Sequence, residues 1–206
     1  METIVYLMRH SESIKVNNIL NSDSLQLKNE KVPLSVNGEE LAEEISNNNE
    51  LLDIDVVYSS NHVRAIATAK YIAFNNNSEL NVDERFNERK HGVNDYSQLP
   101  KDFEQKQLID DSFKVGDGEC QNEVKIRMHN ALNDILRNNV GKKIAIVSHA
   151  TAITFLLSIW CDIQYDDNYL FKEKVFFDGK WNYCETFKLV FDNNELLNIE
   201  NIKLIK

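Results

Sequence analysis

Residues 4–10 read Ile4-Val5-Tyr6-Leu7-Met8-Arg9-His10, and residues 144–149 read Ile144-Ala145-Ile146-Val147-Ser148-His149. Each is a short apolar run, rich in Val and Ile, that ends in a histidine. Runs of this kind suit strands buried on both faces of a sheet. In open parallel sheets, ligands gather beyond the carboxyl ends of the strands. Two such strands in one parallel sheet would deliver His10 and His149 to the same edge, with Arg9 beside them. Two imidazoles and a guanidinium at one edge point to a site built for a phosphate group.

Working outward, further strands are expected over residues 56–59 and 80–82, besides those over 3–8 and 143–147. Helices are expected over 37–47, 63–74, 100–110, 119–138 and about 151–160. The helix over 119–138 is the most regular, with Val124, Met128, Ala131, Ile135 and Leu136 on one stripe. Residues 11–31 and 83–100 are polar and read as irregular loops. Near the end, residues 187–191 and 196–202 flank Asp192-Asn193-Asn194-Glu195, the pattern of a hairpin. Strands that alternate with helices imply βαβ units. The expected fold is a three-layer α/β/α domain with a mostly parallel sheet and an antiparallel edge strand. Only two prolines and six glycines offer material for a linker, and no repeat is visible, so residues 1–206 are expected to form one domain.

At 42% hydrophobic, the chain of 206 residues can build a full core. Its formal charge of −10 disfavours nucleic acids and anionic membranes as partners. No apolar stretch reaches the ~18 residues of a membrane span. The first strand begins at once, which leaves no room for a signal peptide. Cys120, Cys161 and Cys184 are odd in number and widely spaced. That pattern suits buried, reduced thiols in a cytoplasm and argues against a zinc site. Neither a H-E-x-x-H zinc motif nor a G-x-x-x-x-G-K-[ST] phosphate loop is present. No metal or cofactor is expected, and oligomeric state is not readable, although the hairpin offers a pairing edge.

Two more segments belong with the histidines. Tyr58-Ser59-Ser60-Asn61-His62-Val63-Arg64-Ala65-Ile66-Ala67-Thr68-Ala69 leaves a strand and enters a helix, which brings Arg64 to the same edge. Glu84-Arg85-Phe86-Asn87-Glu88-Arg89-Lys90-His91-Gly92 is a charged loop. Taken singly, Arg64 reads as a surface cation, His149 as a capping or packing residue, and the loop as solvated. His62 and His129 read as surface residues. Together, in this order, the segments resemble the histidine phosphatase superfamily, in the branch with cofactor-dependent phosphoglycerate mutases. Its R-H-G-E signature is similar to Arg9-His10-Ser11-Glu12, and S-S-x-x-x-R-A-x-x-T-A stands in full from Ser59 to Ala69. Its acidic residue before a glycine corresponds to Glu88 and Gly92, and S-H-G to Ser148-His149-Ala150. Leu34-Ser35 with Gly38, and Gly118-Glu119 with Arg127, are lesser matches.

The resemblance implies that His10 is a nucleophile forming a phosphohistidine. It implies that Arg9, Arg64 and His149 bind and stabilise the phosphoryl group, and that Glu88 is the acid and later the base. Ser11 and Ala150 replace glycines at the phosphate and are expected to contact it. Asn17 lies one place from the family's asparagine and is a further expected contact, as is His91. The compact stretch between Gly92 and Glu119 favours a phosphatase acting on a small phosphorylated metabolite. The alternatives are a phosphoglycerate mutase and a protein that only binds phosphorylated ligands.

Overall fold

The computed structural model describes residues 1–15, 24–165 and 167–204. Its main sheet has six strands: β1 (Thr3–Arg9), β2 (Val56–Ser59), β3 (Glu79–Val82), β4 (Lys143–Ser148), and two late strands. Between β4 and those late strands, a separate sheet forms from β5 (Asp162–Ile163), β6 (Tyr169–Phe171) and β7 (Lys174–Phe177). The late strands are β8 (Thr186–Asp192) and β9 (Glu195–Ile202). The order of the main sheet is β3-β2-β4-β1-β8-β9. Strands β1 to β4 run parallel, while β8 pairs antiparallel with β1 and β9 with β8. The antiparallel edge is thus two strands wide. Asn193 and Asn194 both take positive φ in the turn between β8 and β9, a backbone that asparagine tolerates.

Alternation along the central strands divides the core. Val5 and Leu7 of β1 join Ile144 and Ile146 of β4 in one cluster. Tyr6 and Met8, with Ala145 and Val147, join the other. Successive side chains point to opposite faces of a strand, so a sheet covered on both sides needs apolar residues at every position. Helices α2 (Val36–Ser46) and α3 (Val63–Asn76) cover the second face. Helices α5 (Gln121–Asn138) and α6 (Ala150–Leu157) cover the first. The architecture is the expected α/β/α sandwich.

Four local expectations change. The stretch expected to be irregular over 11–31 ends in a helix, α1 (Leu25–Lys31), whose Leu27 N–H donates to the Ser24 hydroxyl. A polar helix with no buried residue lacks the apolar stripe by which helices are recognised. The helix expected to run to about residue 160 ends at Leu157, and the one expected over 100–110 is α4 (Phe103–Ile109). The β5–β7 sheet has no counterpart among the expected elements, because strands of two to four residues carry too little pattern. No helix among the described residues is long and apolar enough to cross a membrane.

Candidate active site

Register puts the chemistry in one place. Arg9 lies opposite Ser148 across the β1–β4 pair, and His10 N–H donates to the Ser148 carbonyl at 3.0 Å. On the other side of β4, Ser60 N–H donates to Val147 at 3.0 Å. The turn after β2 therefore enters α3 at this same edge, and Arg64 stands in its first turn. The charged loop is tied to the edge by the Ser148 hydroxyl, which donates to Phe86 at 2.7 Å. Glu88 then reaches the first turn of α6. Its Oε1 accepts the N–H of Ala152 at 3.1 Å and of Arg89 at 2.9 Å.

The rings of His10 and His149 lie 5.1 Å apart, and Arg64 bridges them. Arg64 Nε donates to His10 Nε2 at 2.9 Å, and Nη2 donates to His149 Nδ1 at 3.1 Å. A guanidinium only donates, so both of those ring nitrogens carry lone pairs. His10 Nδ1 lies 2.7 Å from the Ser11 carbonyl and must carry the ring proton. His149 Nε2 gives its proton to the Ser60 hydroxyl at 2.8 Å. Burial, then the charge of Arg64, holds both imidazoles well below the usual histidine pKa. Both are neutral at pH 7, and His10 Nε2 carries its lone pair toward Arg64.

A family model for the histidine phosphatase superfamily, branch 1, matches residues 5–174. The chain belongs to that superfamily. A Salmonella arizonae protein named as a probable phosphoglycerate mutase is 29% identical over 161 residues, 75% of this chain and 73% of its own. The mycobacterial glucosyl-3-phosphoglycerate phosphatase solved with inorganic phosphate superposes with a TM-score of 0.70 at 14% identity, covering 98% of each chain. Phosphoserine phosphatase from Entamoeba histolytica, solved with 3-phosphoglyceric acid, gives 0.68 at 17% identity, again over 98% of each chain. At such identities the two structures establish a shared fold.

In this histidine phosphatase the remaining expected residues fall unevenly. Arg9 lies at the edge, and its Nη1 is turned to the carbonyls of Trp181 and Asn182 at 3.1 and 3.2 Å. Its guanidinium stacks on Tyr183, and its buried Nε has no partner. Ala150 opens α6 directly after His149. Ser11 donates its N–H to Thr68 and its hydroxyl to the Gly38 carbonyl. Gly38 itself is required, because a Cβ there would meet the Glu12 carbonyl at 2.0 Å. His91 packs edge-on against Tyr96 and near Phe103. It backs Tyr96, whose hydroxyl pKa is raised, chiefly by burial. Asn17 lies outside the described residues.

One surface assignment fails. His62 is fully buried, with its ring 4.5 Å from that of His149 and neither ring nitrogen bonded. Burial, helped by Arg64, pushes its pKa down to about 3. His129 is half-buried, edge-on to Trp160. Several residues with clear positions in the site carry no assignment from the sequence. Ser60 holds His149, and Thr68 holds Ser11. Ser60 and Thr68 sit inside the Ser59–Ala69 signature, so that signature already contains them. The carbonyls of Trp181 and Asn182 reach the site only through tertiary folding and leave no local signal.

Proposed function

We propose that the protein hydrolyses phosphate monoesters through a phosphohistidine on His10, acting on a small phosphorylated metabolite. The single observation that carries this reading is the unprotonated His10 Nε2 beside Arg64, with its proton fixed on Nδ1 by Ser11. His10 Nε2 attacks phosphorus and the alcohol departs. Arg64 and Arg9 take the phosphoryl oxygens. At ~4 Å each guanidinium contributes on the order of 4 kcal/mol of Coulomb attraction at an effective dielectric near 20. The donors that Arg64 now gives to the imidazoles pass to those oxygens. His149 then takes a proton from solvent on Nδ1, which the incoming dianion favours, and donates to the same group. Glu88, seated at the N-terminus of α6, protonates the leaving oxygen and later takes a proton from water. Three buried free thiols support a reducing compartment such as the cytoplasm, and the charge of −10 supports a partner other than nucleic acid.

The names of its relatives favour a second reading, phosphoglycerate mutase. The two differ in whether water reaches the phosphoenzyme. Supplying phosphoglycerate with bisphosphoglycerate separates them: the phosphatase reading expects free phosphate. Fast isomer exchange with little phosphate released would refute it. The role of Glu88 is tested with Glu88→Gln, which is expected to slow esters with poor leaving groups most. A uniform slowdown across leaving groups would remove Glu88 as the acid.

A further inference from the structure

A cavity of about 250 Å³ opens beside the candidate site. It begins at Ala150, the residue after His149, and at Thr151 in the first turn of α6, the turn that holds Glu88. Trp181, whose carbonyl fixes Arg9, forms another wall with Tyr169 and Tyr165. Two of its polar groups are already paired: Trp181 Nε1 donates to the Tyr169 hydroxyl, which bonds the Thr154 hydroxyl. The aromatic residues Phe155, Tyr165, Tyr169 and Trp181 face the space, together with the polar Thr151 and Gln164. Among the described residues no cation lines it, and its one charged lining residue, Glu104, is tied to Arg89.

Size and charge then select the occupant. An apolar protein cavity of about 150 Å³ accommodates benzene. This one therefore has room for a single ring with a short chain. A second anionic group on the alcohol, such as a carboxylate, would find no counter-charge here, and desolvating it unpaired is expensive. The other cleft beside Glu88 does carry Arg85, Lys90 and Arg127. Each is already held by a carboxylate, from Asp83 and Asp134, Asp117 and Glu119 respectively. We propose that the cavity at the head of α6 takes the alcohol portion of the substrate, and that the preferred monoesters carry an aromatic ring or short branched apolar chain with no second negative charge. This assignment rests on the phosphatase reading above.

Benzyl phosphate, ethyl phosphate, 3-phosphoglycerate and phosphoserine test it. Benzyl and ethyl alcohols are similarly poor leaving groups, so their ratio reports burial and not chemistry. Burying a phenyl-sized group predicts a kcat/KM for benzyl phosphate roughly thirtyfold above ethyl phosphate, and above both carboxylated esters. Thr151→Phe, which fills the cavity, is expected to bring the benzyl-to-ethyl ratio near one. Tyr165→Ala, at an exposed position that a folded chain tolerates, is expected to lower the ratio several-fold. A ratio near one in the unsubstituted protein, a preference for the carboxylated esters, or a ratio that neither variant moves would overturn the subsite alone. Failure to turn over any ester would overturn the phosphatase reading and the subsite with it.

Discussion

Arg64 uses its donors in three directions, toward His10, His149 and the Asn29 carbonyl of α1. Only a planar fork spans two imidazoles in this way, and an ammonium does not. Arg64→Lys is therefore expected to lower kcat/KM by about 10²-fold or more, the usual scale for losing one preorganised charge donor. Removing the charge altogether also removes one of the two main causes of the low His10 pKa. In Arg64→Ala, His10 is expected to titrate at higher pH than in the unsubstituted protein, read by NMR of the ring protons. An unmoved titration would show that burial alone sets it. His62 has the opposite character. Its two bare nitrogens sit in the core, and buried polar groups without partners cost about 1–3 kcal/mol. His62→Leu is expected to stabilise the fold by that amount in denaturant unfolding. A loss of stability would mean that His62 has a partner in solution.

Helix α5 supplies more than packing. Its Arg127 grips both oxygens of Glu119 at 2.7 and 2.9 Å and reaches back to the carbonyls of Arg85 and Glu88. Gly92 closes the same loop against residues 115–118, in a positive φ where a Cβ would meet the Val115 carbonyl at 2.0 Å. The loop that carries Glu88 is thus anchored from outside the site. Arg127→Ala is expected to lower kcat at least about tenfold for poor leaving groups while KM changes little, since Glu88 positioning acts on proton transfer. Arg127→Lys is expected to recover part of the loss. Steady-state kinetics with esters of graded leaving group decide this, and an unchanged kcat would free Glu88 from its anchor.

At the scale of the molecule, four histidines stay neutral in the fold. His10, His62, His91 and His149 all have depressed pKa values, with burial the largest cause. Those of His62 and His91 fall to about 3 and about 4. Above pH ~6.5 an unfolded histidine is also neutral, so these groups leave stability unchanged there. Below it the unfolded chain takes up protons that the folded chain refuses. Stability then falls as pH drops, by up to about 1.4 kcal/mol per pH unit for each such histidine. Urea unfolding between pH 7 and pH 4 is expected to show this slope, and His62→Leu to make it shallower. A slope identical in the variant would contradict the buried neutral state of His62.

The strand ends are legible in the sequence because they follow uninterrupted apolar runs, which fixes their face and edge together. The sequence alone therefore places Arg9, His10 and His149, and the strand-to-helix turn adds Arg64. His62 reads as a surface residue because a polar residue near a helix start is ordinarily solvated; in the fold its ring packs against that of His149 and is buried. The carbonyls of Trp181 and Asn182 that hold Arg9 come from a connection more than a hundred residues away in sequence, and backbone acceptors leave no compositional trace. Helix α1 and the β5–β7 sheet lack a readable periodicity for related reasons: one buries nothing, and the other is too short.

Trapping the covalent phosphoenzyme by rapid quench tests the central claim most directly. A radiolabelled phosphate monoester is mixed with the protein, stopped in base within one turnover, and the peptides are mapped. Label is expected on the peptide containing His10, stable in base and lost in acid, and absent from His10→Ala, which folds but does not turn over. Label on any other residue, or full turnover with none at His10, would contradict the account.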